Sequence, residues 1–348
     1  MSANDLLRER LEPLLPDDPW GQKSFLYWLR AQKERAPEGE ADSLALLSVE
    51  LLIDQDFIAE VVKLLRERKQ LIFYGPPGTG KTFVARRLAL ALSPDPSRHV
   101  VVQFHPSTSY EDFFEGYRPD VTAEDQLRYS LVQGPLAMMA ARAAATPGVD
   151  HIVIIDEINR ANLPKVFGEL LYLLEYRDEA VQTLYRPDEA FELPSNLYFI
   201  GTMNTADRSI ALVDAAIRRR FHFVAFFPDE PPIQGLLARW LKRENEPQWI
   251  AEFVDMVNEE LKDRLRGSDL LLGPSYFMQR GLDEGSLERI WRYNVLPMLE
   301  ELFYGQREVI EEYALDRVLH RYRQQVGSEE EEAGLAGAEA MPDGETLA

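Results

Sequence analysis

Apolar and polar positions change period several times along the chain, and the changes divide it. In residues 1–48, Leu6, Leu7, Leu11, Leu14 and Leu15 form one apolar stripe and Trp20, Phe25, Leu26, Trp28 and Leu29 another, the spacing of short helices. The stretch APEGEAD at 36–42 interrupts them with Pro, Gly and acids. A segment of this length supports no large core of its own and is expected to pack on the domain next to it in the chain. From residue 49 the pattern alternates. Helical spacing over 51–68 gives way to an apolar run at 71–74 that stops at Gly75. Helical spacing returns over 81–92, and 100–104 (VVVQF) reads as a strand. A strong helix comes next at 136–145, then the fully apolar IVII at 152–155, ending on Asp156 and Glu157. Residues 167–174 read as helix, and 197–201 (LYFIG) and 221–227 (FHFVAFF) as strands. Short apolar strands alternating with helices predict an α/β fold, a parallel sheet covered on both faces. In such a fold the functional crevice lies beyond the carboxyl ends of the strands.

Residues 230–326 lack strand signals, and the periodic stretches 249–265 and 287–302 predict a helical second domain. Residues 327–348 hold seven acids, no base and few large apolar side chains, so this tail is expected to be disordered. The expected division is a short helical segment at 1–48, a nucleotide-binding αβα domain at 49–229, a helical domain at 230–326 and the tail.

Composition narrows the functional classes. The net charge is −21, which disfavours broad binding of phosphate backbones by the outer surface but leaves room for a local basic channel. Without the tail the remainder still carries −14. There is no cysteine, which removes disulfides, thiolate zinc sites and thiol nucleophiles together. The five histidines are scattered without ligand spacing. The charged start is unlike a secretory signal, and no run of about 18 apolar residues could span a membrane. A soluble, cytoplasmic protein without membrane partners is expected.

Three motifs carry chemistry. Residues 75–82 read GPPGTGKT, between a predicted strand and a predicted helix, the context in which GxxxxGK[ST] cradles phosphates. Gly75, Pro76, Pro77, Gly78, Thr79 and Gly80 form the turn. Its amides and the N-terminus of the helix after it face the anion, Lys81 supplies a point charge to the β/γ-phosphates, and the Thr82 hydroxyl suits Mg²⁺. Asp156 and Glu157 end a buried strand. Asp156 would hold the metal through water and Glu157 would polarise the attacking water; the plainer reading of such acids is a helix N-cap. After another strand comes TMNTADRS at 202–209, where Asn204 can hydrogen-bond the γ-phosphate or the water and Asp207 sits in a turn. Arginines at 218–220 precede the last strand. They are either solvated or reach a neighbouring subunit's γ-phosphate, a role worth roughly 10³–10⁵ in rate; Arg218 and Arg219 are the candidates.

Together these residues resemble the AAA+ ATPases, and more narrowly the McrB family, the motor subunits of McrBC-type modification-dependent restriction systems. The resemblance rests on MNTADRS at 203–209, with QFHPSTSYEDFFEGYRP at 103–119, IIDEINRAN at 154–162, DAAIRRRFHF at 214–223 and GPSYFM at 273–278 in the family's order. It spans roughly residues 49–305 and implies an AAA+ domain with a helical lid, assembled in hexameric rings. It further implies hydrolysis of GTP rather than ATP, Mg²⁺ as cofactor, and stimulation by an McrC-like nuclease subunit. Asn204 and Asp207 would lie where that partner helps to position the catalytic water, and the YEDFFEGYRP stretch would precede a hairpin facing the ring pore. Arg280 is the candidate lid arginine. Only about 48 residues precede the motor, too few for the DNA-reading domain of well-known members. Target recognition is therefore expected from another chain, with DNA held, if at all, in the pore or through the partner. The alternative is a MoxR-like AAA+ ATPase chaperone that remodels a protein partner; the acidic charge and the missing DNA reader favour it, and MNTADRS argues against it.

Overall fold

The structure, a computed structural model, describes residues 40–121, 127–206 and 215–339. Contacts divide the chain into two units. One comprises Met1–Gly75 and Gly80–Phe226; the other comprises Pro76–Thr79 and Phe227–Ala348.

The first unit is built on a five-stranded parallel sheet. Its strands are β1 (Gln70–Gly75), β2 (His99–Gln103), β5 (His151–Asp156), β8 (Leu197–Asn204) and β9 (His222–Ala225), in the order β2-β5-β8-β1-β9. The central strands are buried nearly end to end, as continuous apolar runs between two helical layers must be. β2, at one edge, is only partly buried. Before β1 come α1 (Glu40–Leu51) and α2 (Gln55–Arg68). Asp54 caps α2 by accepting from the Asp56 N–H at 2.8 Å, and Lys69, left-handed at φ 68°, ends it and turns the chain into β1. α1 thus crosses the expected boundary at 48/49, and Glu40 and Asp42 in its first turn favour that start.

α3 (Lys81–Leu92) comes after the glycine loop, α5 (Pro135–Ala145) precedes β5, and α8 (Ala215–Arg220) precedes β9. The single helix expected over 167–174 is instead α6 (Leu163–Phe167) and α7 (Leu170–Leu173), parted at Gly168, whose φ is +52°. Two antiparallel hairpins stand apart from the main sheet. β3 (Glu115–Val121) pairs with β4 (Leu127–Gln133), and β6 (Ala180–Thr183) with β7 (Arg186–Glu192). YEDF at 110–113 is the short helix α4, and the first strand of the hairpin starts inside the stretch expected to precede it.

The second unit is helical: α9 (Leu236–Glu244), α10 (Trp249–Leu265), α11 (Glu284–Ile290), a π-turn at Trp291–Val295, α12 (Leu296–Leu302), α13 (Arg307–Glu312) and α14 (Leu315–Glu339). Trp291 is fully buried against Phe253, ring centroids 5.3 Å apart, and its indole N–H donates to the Tyr313 carbonyl at 2.8 Å. α14 runs on to Glu339, through the first part of the acidic stretch expected to lack structure. Runs of Glu and Ala favour helix by intrinsic propensity. Segments 1–39 and 340–348 lie outside the described residues.

Candidate nucleotide-binding site

The site begins at the carboxyl end of β1. A Cβ on Gly75 would fall 2.2 Å from the Phe226 carbonyl oxygen, so only glycine lets β1 end there. Gly80, left-handed at φ 84°, ψ 13°, opens α3. Within the loop the Thr79 hydroxyl donates to the Pro76 carbonyl at 3.0 Å. Lys81 is 6% exposed, and its ammonium donates to the Gly75 carbonyl at 2.9 Å. Burial lowers its pKa to about 8, against the opposing pull of Glu157 and Asp156.

Beside it the ends of β5 and β8 converge. The Thr82 hydroxyl donates to Asp156 Oδ1 at 2.6 Å, and the Thr202 hydroxyl to the same oxygen at 2.5 Å. The Glu157 N–H donates to Thr202 Oγ1 at 3.2 Å. Thr202 therefore ties together the first residue after β5 and the acid that ends it. Glu157 is left-handed at φ 54°, ψ 46°, a conformation costing a non-glycine residue about 1–2 kcal/mol. Such backbone persists where surrounding contacts enforce it. Those contacts are the Asn204 amide, which donates to Glu157 Oε1, and Arg160 Nε, 3.5 Å from Oε2. Asn204 is held in turn through its carbonyl, which accepts from Asn159 Nδ2 at 3.3 Å.

Two family models match this chain: an AAA domain of the dynein-related subfamily over residues 70–221, and the McrB alpha-helical lid domain over 249–311. The EcoKMcrB subunit of a type IV methyl-directed restriction enzyme of Escherichia coli K12 is 40% identical over 279 residues, covering 73% of this chain. This chain is an McrB-family AAA+ protein. It spans 58% of that relative's length. A second relative, component YdiS of the type II restriction enzyme BsuMI of Bacillus subtilis 168, is 26% identical over 68% of this chain and 78% of its own.

As a P-loop NTPase of the McrB family, the chain brings Lys81, Thr82, Asp156, Glu157 and Asn204 together in its first unit. Asp207, the remaining residue expected there, lies outside the described residues. Thr82 and Asp156 offer hard oxygen donors side by side, the donor set that Mg²⁺ takes. The expected arginines differ from one another. Arg220 is buried and 2.8 Å from Glu175 Oε2. Arg219 has an exposed side chain 3.3 Å from the same oxygen. The Arg218 guanidinium lies over the Phe223 ring at 5.8 Å. Arg68 and Gln70 hold the backbone of this helix end, donating to the carbonyls of Arg219 and Arg220. Arg280, in the second unit, is paired with Glu244 at 2.5 Å.

Thr202, Asn159 and Arg160, which contact Asp156, Glu157 or Asn204, were given no role by the sequence reading. Thr202 had a signal, a hydroxyl at the carboxyl end of a buried strand two residues before Asn204. Asn159 and Arg160 lay within IIDEINRAN, one of the motifs of the family resemblance, but a polar turn after an acid is common and marked neither for a role.

Proposed function

We propose that the chain is a Mg²⁺-dependent nucleoside triphosphatase and the motor subunit of an McrBC-type restriction complex, acting with an McrC-like nuclease partner. GTP is the favoured substrate over ATP, and the working form is a homo-oligomeric, hexameric ring. The observation that carries the hydrolytic part is the convergence of the Thr82 and Thr202 hydroxyls on one oxygen of Asp156, beside a Glu157 carboxylate bonded to Asn204. The restriction role is supported by the two relatives, both components of restriction enzymes.

In this reading residues 75–82 cradle the phosphates and Lys81 neutralises the β/γ-oxygens. Mg²⁺, when bound at Thr82 and Asp156, offsets charge on the β- and γ-phosphates. Glu157 orients and polarises the attacking water, with Asn204 and Asp207 fixing the water's place. Arg219, exposed on α8 while Arg220 is buried, reaches the neighbouring subunit's γ-phosphate. Catalysis is positioning plus electrostatics, with no covalent intermediate.

Titrating GTP against ATP, with and without DNA and an McrC-like subunit, tests the reading. GTP turnover stimulated by the nuclease subunit supports it. ATP turnover indifferent to both, but stimulated by a protein client, would favour the remodelling chaperone to which the charge of −21 also points. Glu157→Gln should retain nucleotide binding and lose turnover; turnover near wild type would exclude Glu157 as the activating carboxylate.

A further inference from the structure

The motif GPSYFM at 273–278 takes no part in the chemistry above. Its contacts fall on the tip of the phosphate loop, Pro76–Thr79, which belongs by contact to the second unit. The Ser275 N–H donates to the Gly78 carbonyl at 3.0 Å. A Cβ on Gly273 would fall 2.3 Å from the Gly78 carbonyl carbon and 2.5 Å from the Pro77 carbonyl oxygen. A Cβ on Gly78 would fall 2.8 Å from the Tyr276 ring. Two stretches of backbone therefore run together with no side chain between them, and a tyrosine ring lies against the glycine of the tip. Gly273 has φ −71° and ψ 147°, values any residue adopts. Close approach alone requires glycine there.

The motif is itself firmly held. Asn258 on α10 accepts from the Leu272 N–H at 2.7 Å and donates to the Leu272 carbonyl at 3.1 Å. Leu271, Leu272 and Phe277, on either side of the contact, are wholly buried. The residues on either side of 273–276 are thus anchored in the helical core, by Asn258 at Leu272 and by burial at Leu271, Leu272 and Phe277.

A phosphate loop binds through amides that must converge on the anion. A loop already held in that shape pays less ordering entropy when the ligand arrives. We infer that residues 273–276 are a positioning segment that holds the loop tip ready for phosphate, with Gly273 and Tyr276 as its positioning residues. The inference rests on the reading of 75–82 as the phosphate site.

The test uses the full chain with Mg²⁺ and the slowly hydrolysed analogues GMPPNP and AMPPNP, titrated separately by calorimetry. The melting temperature without nucleotide is recorded beside each titration. Gly273→Ala should weaken the analogue that binds by about tenfold or more and leave the nucleotide-free melting temperature near wild type. Tyr276→Ala should weaken it by more than about threefold. Affinities of both variants within about threefold of wild type, with Lys81→Ala abolishing binding, would overturn the inference. Binding retained by Lys81→Ala would instead overturn the reading of 75–82. Should Gly273→Ala melt far below wild type, the tyrosine decides. Weakening in Tyr276→Ala with recovery in Tyr276→Phe, which keeps the ring, supports the positioning role; equal affinity in the two overturns it.

Discussion

Lys81 shows how a single residue is tuned by its surroundings. Its ammonium is buried and its pKa lowered to about 8, because the desolvation cost exceeds the attraction of the two carboxylates. The folded value lies below the ordinary 10.5. Between those two values the unfolded chain binds more protons, so stability from this group rises with pH across that window. A bound phosphate favours the charged form. Nucleotide affinity is therefore expected to fall as pH rises through about 8, and binding there to take up a proton. Calorimetry in buffers of different ionisation enthalpy measures the uptake, and its absence above pH 8 would show that Lys81 does not meet the phosphates. That Lys81, Thr82, Asp156 and Glu157 come together was legible, because GxxxxGK[ST] and an acidic pair both fall at the carboxyl ends of apolar strands. Left-handed backbone at Glu157 was not legible, because the Asn204 contact that helps to enforce it comes from pairing in space, 47 residues along the chain.

At the scale of elements, the register of the parallel sheet does the assembling. β8 lies between β5 and β1, with Asn204 opposite Gly75 and Gly201 opposite Ile155. That register sets Thr202 beside Asp156. Gly201 is needed where it stands, since a Cβ there would fall 2.9 Å from Ile72 Cγ1 and 3.0 Å from Ile158 Cδ1. Thr202→Val keeps the volume and removes the hydroxyl, which strips a donor from Asp156 and an acceptor from the Glu157 N–H. It should cost about 1–3 kcal/mol of stability and lower turnover by roughly tenfold to a hundredfold through misplacement of Glu157. Chemical denaturation and steady-state hydrolysis measure the two; unchanged turnover would confine Thr202 to a structural role. The apolar runs made the five main strands readable. The β6–β7 hairpin was missed because its strands are short and largely exposed, leaving no apolar run to mark them. The helix expected over 167–174 was broken by Gly168, a turn its apolar periodicity did not disclose.

At the scale of the whole molecule, the three arginines of α8 become different residues. Arg220 is buried with Glu175, while Arg219 presents an exposed side chain. If Arg219 serves the neighbouring subunit, Arg219→Ala should bind nucleotide and lose most of its turnover. Mixed with Lys81→Ala, whose own loop is disabled, it should regain part of that turnover, because a wild-type arginine then faces a wild-type loop at some interfaces. Mixtures as inactive as either variant alone would argue against sites shared between subunits. Among the described residues no helix is long and apolar enough to cross a membrane.

By itself the sequence determined the class of fold, the phosphate loop, the acidic pair and the helical character of the second unit. Each of these depends on neighbours along the chain, whether an apolar period, a glycine spacing or a strand that stops at a charge. Tertiary structure decided which hydroxyls share Asp156, which arginine of three is buried, and why Gly78 and Gly273 are both glycine. These depend on distances between residues remote in sequence, which strand register and core packing set and local pattern does not encode.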